Sequence, residues 1–281
     1  MSMKPPAAVM AAFGCMVDPV PLSGGEAKSW RSGGIMLKPV DSGEGRALAS
    51  WTADLFAGLR PEGYRIPRPI RSASGGWIEQ DWVAWTFLEG VEESSPVHWA
   101  ERLTALSLFH KALAAVPRPG WMNALSDPWS IADRAAWGEE EPRDIHPSVA
   151  GLVSRLINLR RVVDLPSQVC HGDIGAGNML FAENLPPAVI DMSPYWRPEP
   201  FARAAAAVDA MAWAGGTVAD LDLAGRGIDP PLYTQLLLRG ALRRIMTISE
   251  FARLRGSSTI DDDPLWPSIV DLIELRSRQS R

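Results

Sequence analysis

Three side chains in the stretch "CHGDIGAGNMLFAENLPPAVID" (residues 170–191) have types and spacing suited to chemistry: Asp173, Asn178 and Asp191. Asn178 follows Asp173 by five positions, and Asp191 closes the apolar run "PPAVI". Read as a strand "MLF", a turn "AENLPP" and a strand "AVI", the segment is a hairpin that brings Asn178 and Asp191 side by side. A carboxylate and an amide oxygen are hard donors, suited to Mg²⁺, which fills its remaining positions with water and phosphate oxygens. Asp173 would face the same site without ligating the metal, placed to accept a proton from an attacking hydroxyl. Gly172, Gly175 and Gly177 would let the chain turn sharply between base and ligand, and His171 would shape the loop by hydrogen bonding. Singly, each of the three polar residues reads better as a turn or strand-end residue. Their joint spacing between apolar strands carries the chemical reading.

The elements that must position them divide into two grammars. Up to about residue 90 the chain reads as strands and turns, with Ser32-Gly33-Gly34 between two strand segments and a helix over 44–59 bearing Leu48, Trp51, Leu55 and Leu59. From Ser94 helices dominate: "HWAERLTALSLFHKALAAV", then 148–161, 201–215, 231–254 and 267–278. The expected fold class is α+β and bilobal, with a small β-rich N-terminal lobe over 1–88 and a larger, mainly helical lobe over 89–281. Clefts between lobes commonly hold ligands. A formal charge of −5 with no basic face argues against a nucleic-acid partner. No run of 18 apolar residues suggests a membrane span. The start of the chain does not read as a secretory signal, and Cys15 and Cys170 lack metal or disulfide spacing. A cytoplasmic protein is expected; its oligomeric state is not legible here.

The pattern H-G-D-x-x-x-x-N followed by I-D resembles the aminoglycoside phosphotransferase and choline kinase group, relatives of the protein kinases, in an uncharacterised bacterial branch. The resemblance implies a protein-kinase-like fold, ATP (or GTP) with Mg²⁺, and a small molecule whose hydroxyl receives the γ-phosphate. In "PLSGGEAKSW", Gly24 and Gly25 could let backbone amides approach phosphate oxygens, although an ordinary hairpin explains them as well. Lys38 lies in the apolar strand "GIMLKPV" and is one of only four lysines, with Lys4, Lys28 and Lys111. A buried lysine needs an anionic partner, and the resemblance supplies nucleotide phosphates. It also implies an acid on the next helix to pair with Lys38, for which Asp54 is preferred over Glu44. "VAWTFLEG" resembles the interlobe linker, where backbone groups of Thr86 to Leu88 would hold the base. Asp209, in an apolar helix, corresponds to a residue that braces the catalytic loop.

The loop departs from the group's more usual "GDLHPGN" without losing a key group. The proline-rich "MSPYWRPEP" after Asp191 implies a short, rigid segment and disfavours a protein substrate. Acidic runs in "WGEEEPRD" and "TIDDDPLW" could attract a cation but read better as solvated loops. Trp129, Trp137, Trp196 and Trp213 could line a pocket, though such aromatics are more often core. A two-metal phosphoesterase would need more histidine and carboxylate ligands, and no G-x-S-x-G elbow supports a serine hydrolase. The rival from another class is a kinase-fold protein that holds nucleotide or a small ligand without turnover.

Overall fold

The computed structural model describes residues 3–22, 28–41, 43–175, 177–257, 260 and 265–279. Gly24 and Gly25 lie outside the described residues, as do Asp261, Asp262 and Asp263. The chain divides into two compact units, and the division falls between Glu92 and Glu93 rather than at Leu88. The hairpin Asn178–Met192 groups with the first unit, although most of the sequence around it belongs to the second.

The first unit opens with a short helix α1 (Ala7–Ala12), followed by β1 (Val20–Pro21), β2 (Trp30–Ser32) and β3 (Ile35–Pro39). Then come α2 (Glu44–Gly58), β4 (Pro69–Ile70), β5 (Ile78–Glu79), β6 (Trp82–Thr86) and β7 (Val91–Glu92). The pairing is antiparallel in the order β1-β2-β3-β6-β4, with β5 also on β6. Gly33 and Gly34 close the β2–β3 hairpin as expected, with Gly33 at φ 58°. Side chains alternate along β3. Leu37 packs with Val9 and Phe13 of the α1 region and with Trp82 and Ala84, which leaves Lys38 on the other face. That face is covered by α2, whose Phe56 meets Trp85 edge-on at 5.9 Å. The buried stripe of α2 is Thr52, Ala53 and Phe56, and the expected Leu48, Trp51 and Leu55 are only half-buried.

In the second unit α3 (Trp99–Leu113), α4 (Pro128–Trp137) and α5 (Pro147–Leu159) precede β8 (Gln168–His171). The chain then returns to the first unit for β9 (Met179–Ala182) and β10 (Leu185–Val189). β11 (Pro194–Arg197) and helices α6 (Glu199–Trp213), α7 (Val218–Ala224), α8 (Pro230–Leu254) and α9 (Trp266–Gln279) complete the second unit. Buried along most of its length, α8 is packed by α4, α5, α6 and α9. Two helices of this unit escape the periodicity reading, as α1 does in the first. Helix α4 starts at an Asp127 cap that accepts from Ser130 N–H at 3.0 Å, with Pro128 in its first turn. Helix α7 starts at a Thr217–Asp220 capping box. "MSPYWRPEP" is indeed short and ordered by pairing: its Pro194–Arg197 segment runs antiparallel to β8, with Tyr195 opposite Cys170. Among the described residues no helix is long and apolar enough to cross a membrane.

Candidate active site

The candidate residues fall into two groups, one on each unit. In the first unit, β9 and β10 pair with Met179 opposite Val189, and Ile190 N–H donates to Asn178 C=O at 3.0 Å. Asn178 and Asp191 therefore stand at the same open end of the hairpin. Both adopt left-handed backbone, φ 60° and 53°, which Asn and Asp tolerate better than other side-chain-bearing residues. The turn itself sits at Glu183-Asn184, and β10 starts earlier than expected because a bulge between Leu185 and Ala188 absorbs Pro186 and Pro187. Three anchors hold the hairpin to its unit. Arg65 N–H donates to Pro187 C=O, and Arg65 C=O accepts from Val189 N–H, each at 2.8 Å. Asn178 N–H donates to Glu92 Oε1 at 2.8 Å. β7 pairs with β9, which a side chain at Gly90 would disrupt: its Cβ would lie 2.9 Å from Leu180 Cβ.

Lys38 reaches this hairpin end, where its ammonium donates to Asp191 Oδ1. It is half-exposed, with 36% of the side chain accessible, so burial does not force the pairing. Among the described residues Lys38 pairs with neither Asp54 nor Glu44. Asp54 faces outward and accepts from Trp77 Nε1 at 2.7 Å. The reason lies in the rotated face of α2, which turns Thr52, Ala53 and Phe56 inward and Asp54 outward. At the linker, Thr86 N–H already donates to Arg68 C=O at 2.8 Å, and Phe87 N–H donates to Gly34 C=O at 2.8 Å. That commits the Thr86 donor to the protein; Leu88 is half-buried two residues on.

In the second unit, Asp173 sits on the loop after β8, and that loop is held from three sides. From α3, the buried Arg102 donates to Ile174 C=O at 3.0 Å and Gly177 C=O at 3.4 Å. From α8, Arg243 donates to Gly172 C=O at 2.6 Å and Arg244 to Asp173 Oδ1 at 2.5 Å. Within the strand end, Asp173 N–H donates to His171 Nδ1 at 3.2 Å, and His171 N–H to His110 Nε2 at 3.0 Å. His171 thus shapes the loop, as expected. Asp209 is buried behind it and accepts from Arg244 Nε at 2.7 Å. Burial pushes the Asp173 carboxyl up, but the guanidinium of Arg244, with Arg243 and His171 behind it, outweighs burial and leaves it below the usual carboxylate range.

Two of the loop glycines, Gly172 and Gly175, have a reason other than sharp turning. Neither Gly172 nor Gly175 has positive φ. A Cβ on Gly172 would lie 2.2 Å from Tyr195 Cδ2, and one on Gly175 would lie 2.1 Å from Asp209 Cβ. Both are sites of close approach, against atoms that cannot swing away. Gly175→Ala is expected to lower stability by ~1–3 kcal/mol, read from the denaturation midpoint; an unchanged midpoint would refute that packing.

Arg102, Arg243 and Arg244 are the site residues that the sequence reading missed. Their only signal is charge at the buried stripe of apolar helices, the doublet in "LLLRGALRRIMTIS" above all. The acidic run at 139–141 is largely spent on ion pairs: Glu139 with Arg197 at 2.5 Å and Glu140 with Arg134 at 2.5 Å. Of the candidate pocket aromatics, Trp137 packs edge-on against Phe201 and beside Arg197. Trp129 and Trp213 are 39% and 45% exposed, resting on Phe251 and Trp266.

Comparison of the whole structure with solved ones finds the same protein-kinase-like architecture. A thermostable mutant of aminoglycoside phosphotransferase APH(4)-Ia, in ternary complex with AMP-PNP and hygromycin B, superposes with a TM-score of 0.62 at 17% identity, covering 98% of each chain. Spectinomycin phosphotransferase APH(9)-Ia, in complex with ADP and spectinomycin, gives 0.59 at 13% identity, over 95% of this chain and 92% of that one. A choline/ethanolamine kinase family protein from Mesorhizobium loti gives 0.56 at 15% identity, over 95% and 88%. At such identities the likeness establishes the fold: a bilobal α+β structure with a β-rich first lobe and a mainly helical second. A search of the curated proteins by sequence finds no match. The sequence does match the APH model, described as the phosphotransferase enzyme family, over residues 46–193. That span is more than half of the chain and contains Asp173, Asn178 and Asp191, so this chain belongs to the phosphotransferase enzyme family.

Proposed function

We propose that this protein transfers the γ-phosphate of ATP, or of GTP, to a hydroxyl of a small molecule in the cytoplasm. The observation that carries the reading is the ion pair between Lys38 and Asp191, which joins a sheet lysine to the hairpin end bearing Asn178. A phosphotransferase needs a cation for the phosphates and oxygen donors for a metal in one place, and both are present in the first unit. Family membership supports the reaction class. Two structurally similar proteins hold a nucleotide together with a small molecule, which supports the substrate class. The short ordered stretch between Asp191 and α6 also favours a small acceptor over a peptide.

The donor set fits Mg²⁺: an amide oxygen and a carboxylate at one hairpin end, the carboxylate half-exposed and already engaged with a cation. Asn178 and Asp191 would hold the ion, which when bound neutralises charge on the β- and γ-phosphates. Lys38 would exchange Asp191 for phosphate oxygens, or bridge the two. Backbone groups around Leu88 would hold the base. Asp173 would orient the acceptor hydroxyl and take its proton as the acceptor oxygen bonds to the γ-phosphorus. The bond from that phosphorus to the bridging oxygen breaks, and its electron pair leaves with the nucleoside diphosphate.

Lys38→Ala is expected to weaken nucleotide binding ~10–100-fold, the worth of a hydrogen bond to a charged group. It should barely move the melting temperature, because a half-exposed pair contributes little. Calorimetric titration separates the two effects, and unchanged affinity would remove Lys38 from the phosphate site. The reading as a whole is tested by following nucleoside diphosphate release against a panel of hydroxyl compounds, aminoglycosides and amino alcohols among them. Tight nucleotide binding without turnover on any member would favour the rival reading, a non-catalytic kinase-fold binder.

A further inference from the structure

The guanidinium of Arg244 lies between two carboxylates. Its Nε and Nη2 engage both oxygens of Asp209, and Nη2 also donates to Asp173 Oδ1 at 2.5 Å. Asp209 is 1% exposed within α6, and the Arg244 side chain is 11% exposed on α8. The ring of Trp213 covers the guanidinium, 5.5 Å from its centroid. A planar fork gripped by a buried carboxylate has little freedom left, so the direction of its remaining donor is fixed by the helices that carry the pair.

We propose that Arg244 is a positioning residue: anchored to Asp209, it sets the orientation of Asp173 and holds it as an anion through the transfer step. The inference rests on the reading of Asp173 as the group that meets the acceptor hydroxyl. The orientation of that carboxylate then belongs to α6 and α8, the most buried elements of the second unit, instead of to a loop with three glycines. Among the described residues, the titratable groups facing Asp173 include Arg244 and Arg243 from α8 and His171 from β8, with Asp209 of α6 behind Arg244. The two guanidinium groups favour the anion. A carboxylate so held is a weak base in the ground state, so its work is to align the hydroxyl and receive the proton late, as the new oxygen–phosphorus bond forms.

The test is a ¹³C-detected pH titration of aspartate-labelled full-length protein, with the Asp173 carboxyl identified by its loss in Asp173→Asn. In Arg244→Gln its midpoint should rise by about one unit or more, with Arg244→Lys falling between. Because Arg244→Gln leaves Asp209 buried and unpaired, the double variant Asp209→Asn/Arg244→Gln repeats the test with that charge removed. In parallel, hydrolysis of MgATP without acceptor should lose ~10–100-fold in kcat in these variants. KM for ATP should stay unchanged, and Arg244→Lys should recover part of the loss. An unchanged Asp173 midpoint in both glutamine variants, or a loss confined to nucleotide affinity, would overturn the proposal. The titration needs no nucleotide, so it stands or falls apart from the phosphotransferase reading, which fails instead if wild type does not bind MgATP.

Discussion

Asp173→Asn is expected to lower turnover by ~10²–10⁴-fold while leaving nucleotide affinity intact. Asparagine keeps the shape of the side chain and an oxygen for Arg244, which stays doubly bonded to Asp209. Gly172, Ile174 and Gly177 remain tied through Arg243 and Arg102. The substitution therefore removes a charge and a proton acceptor from a loop that other contacts hold in place. Stability should change by no more than ~1 kcal/mol, since the Asp173 side chain is 42% exposed. Equal losses in kcat and kcat/KM would mark an interaction made only in the transition state. Full turnover in the variant would take Asp173 out of the reaction.

The second large effect is expected at Asp191. Asp191→Ala should abolish the Mg²⁺-dependent part of nucleotide binding, because the hairpin end is left with the Asn178 amide, and one neutral oxygen does not hold a hard cation. Alanine would also have to adopt φ 53°, which costs about 1–2 kcal/mol for a residue without a compensating side-chain hydrogen bond. Asp191→Asn separates the two contributions. It tolerates the left-handed backbone and removes the charge, so it should lose metal dependence with a smaller drop in melting temperature. Retained Mg²⁺ dependence in both variants would sink the metal assignment.

The hairpin was legible because its logic is local: apolar strands with period two, a turn, and polar residues at both open ends. The bulge at Leu185–Ala188 shifts the turn without moving Asn178 or Asp191, so the juxtaposition survives the error in the strand bounds. The C-terminal helices were legible for the same reason, with α3 burying the expected Leu103, Leu106, Phe109, His110 and Leu113. What the sequence concealed is non-local. Asp54 has the right distance along the chain from Lys38, but the rotation of α2 depends on which face packs under Phe56 and Trp85. Gly172 and Gly175 look like turn residues, and only the positions of Tyr195 and Asp209 show them as contact points. Arg243 and Arg244 sit 71 residues from the loop positions they hold, and no short-range pattern records such a pairing. Hydrophobic periodicity even counts against them, because it marks their helix as purely apolar where it is most buried.

The measurement that bears most directly on the central claim is a thermal-unfolding titration with ATP and with GTP, each with and without Mg²⁺, on wild type, Asp191→Ala and Asp191→Asn. A ligand at 100 times its dissociation constant stabilises the native state by ~2.7 kcal/mol, a shift of several degrees in a chain of this size. The predicted result is a Mg²⁺-dependent rise in wild type with at least one nucleotide, lost in both variants. No shift with either nucleotide would contradict the account and leave a kinase-fold protein that binds something else.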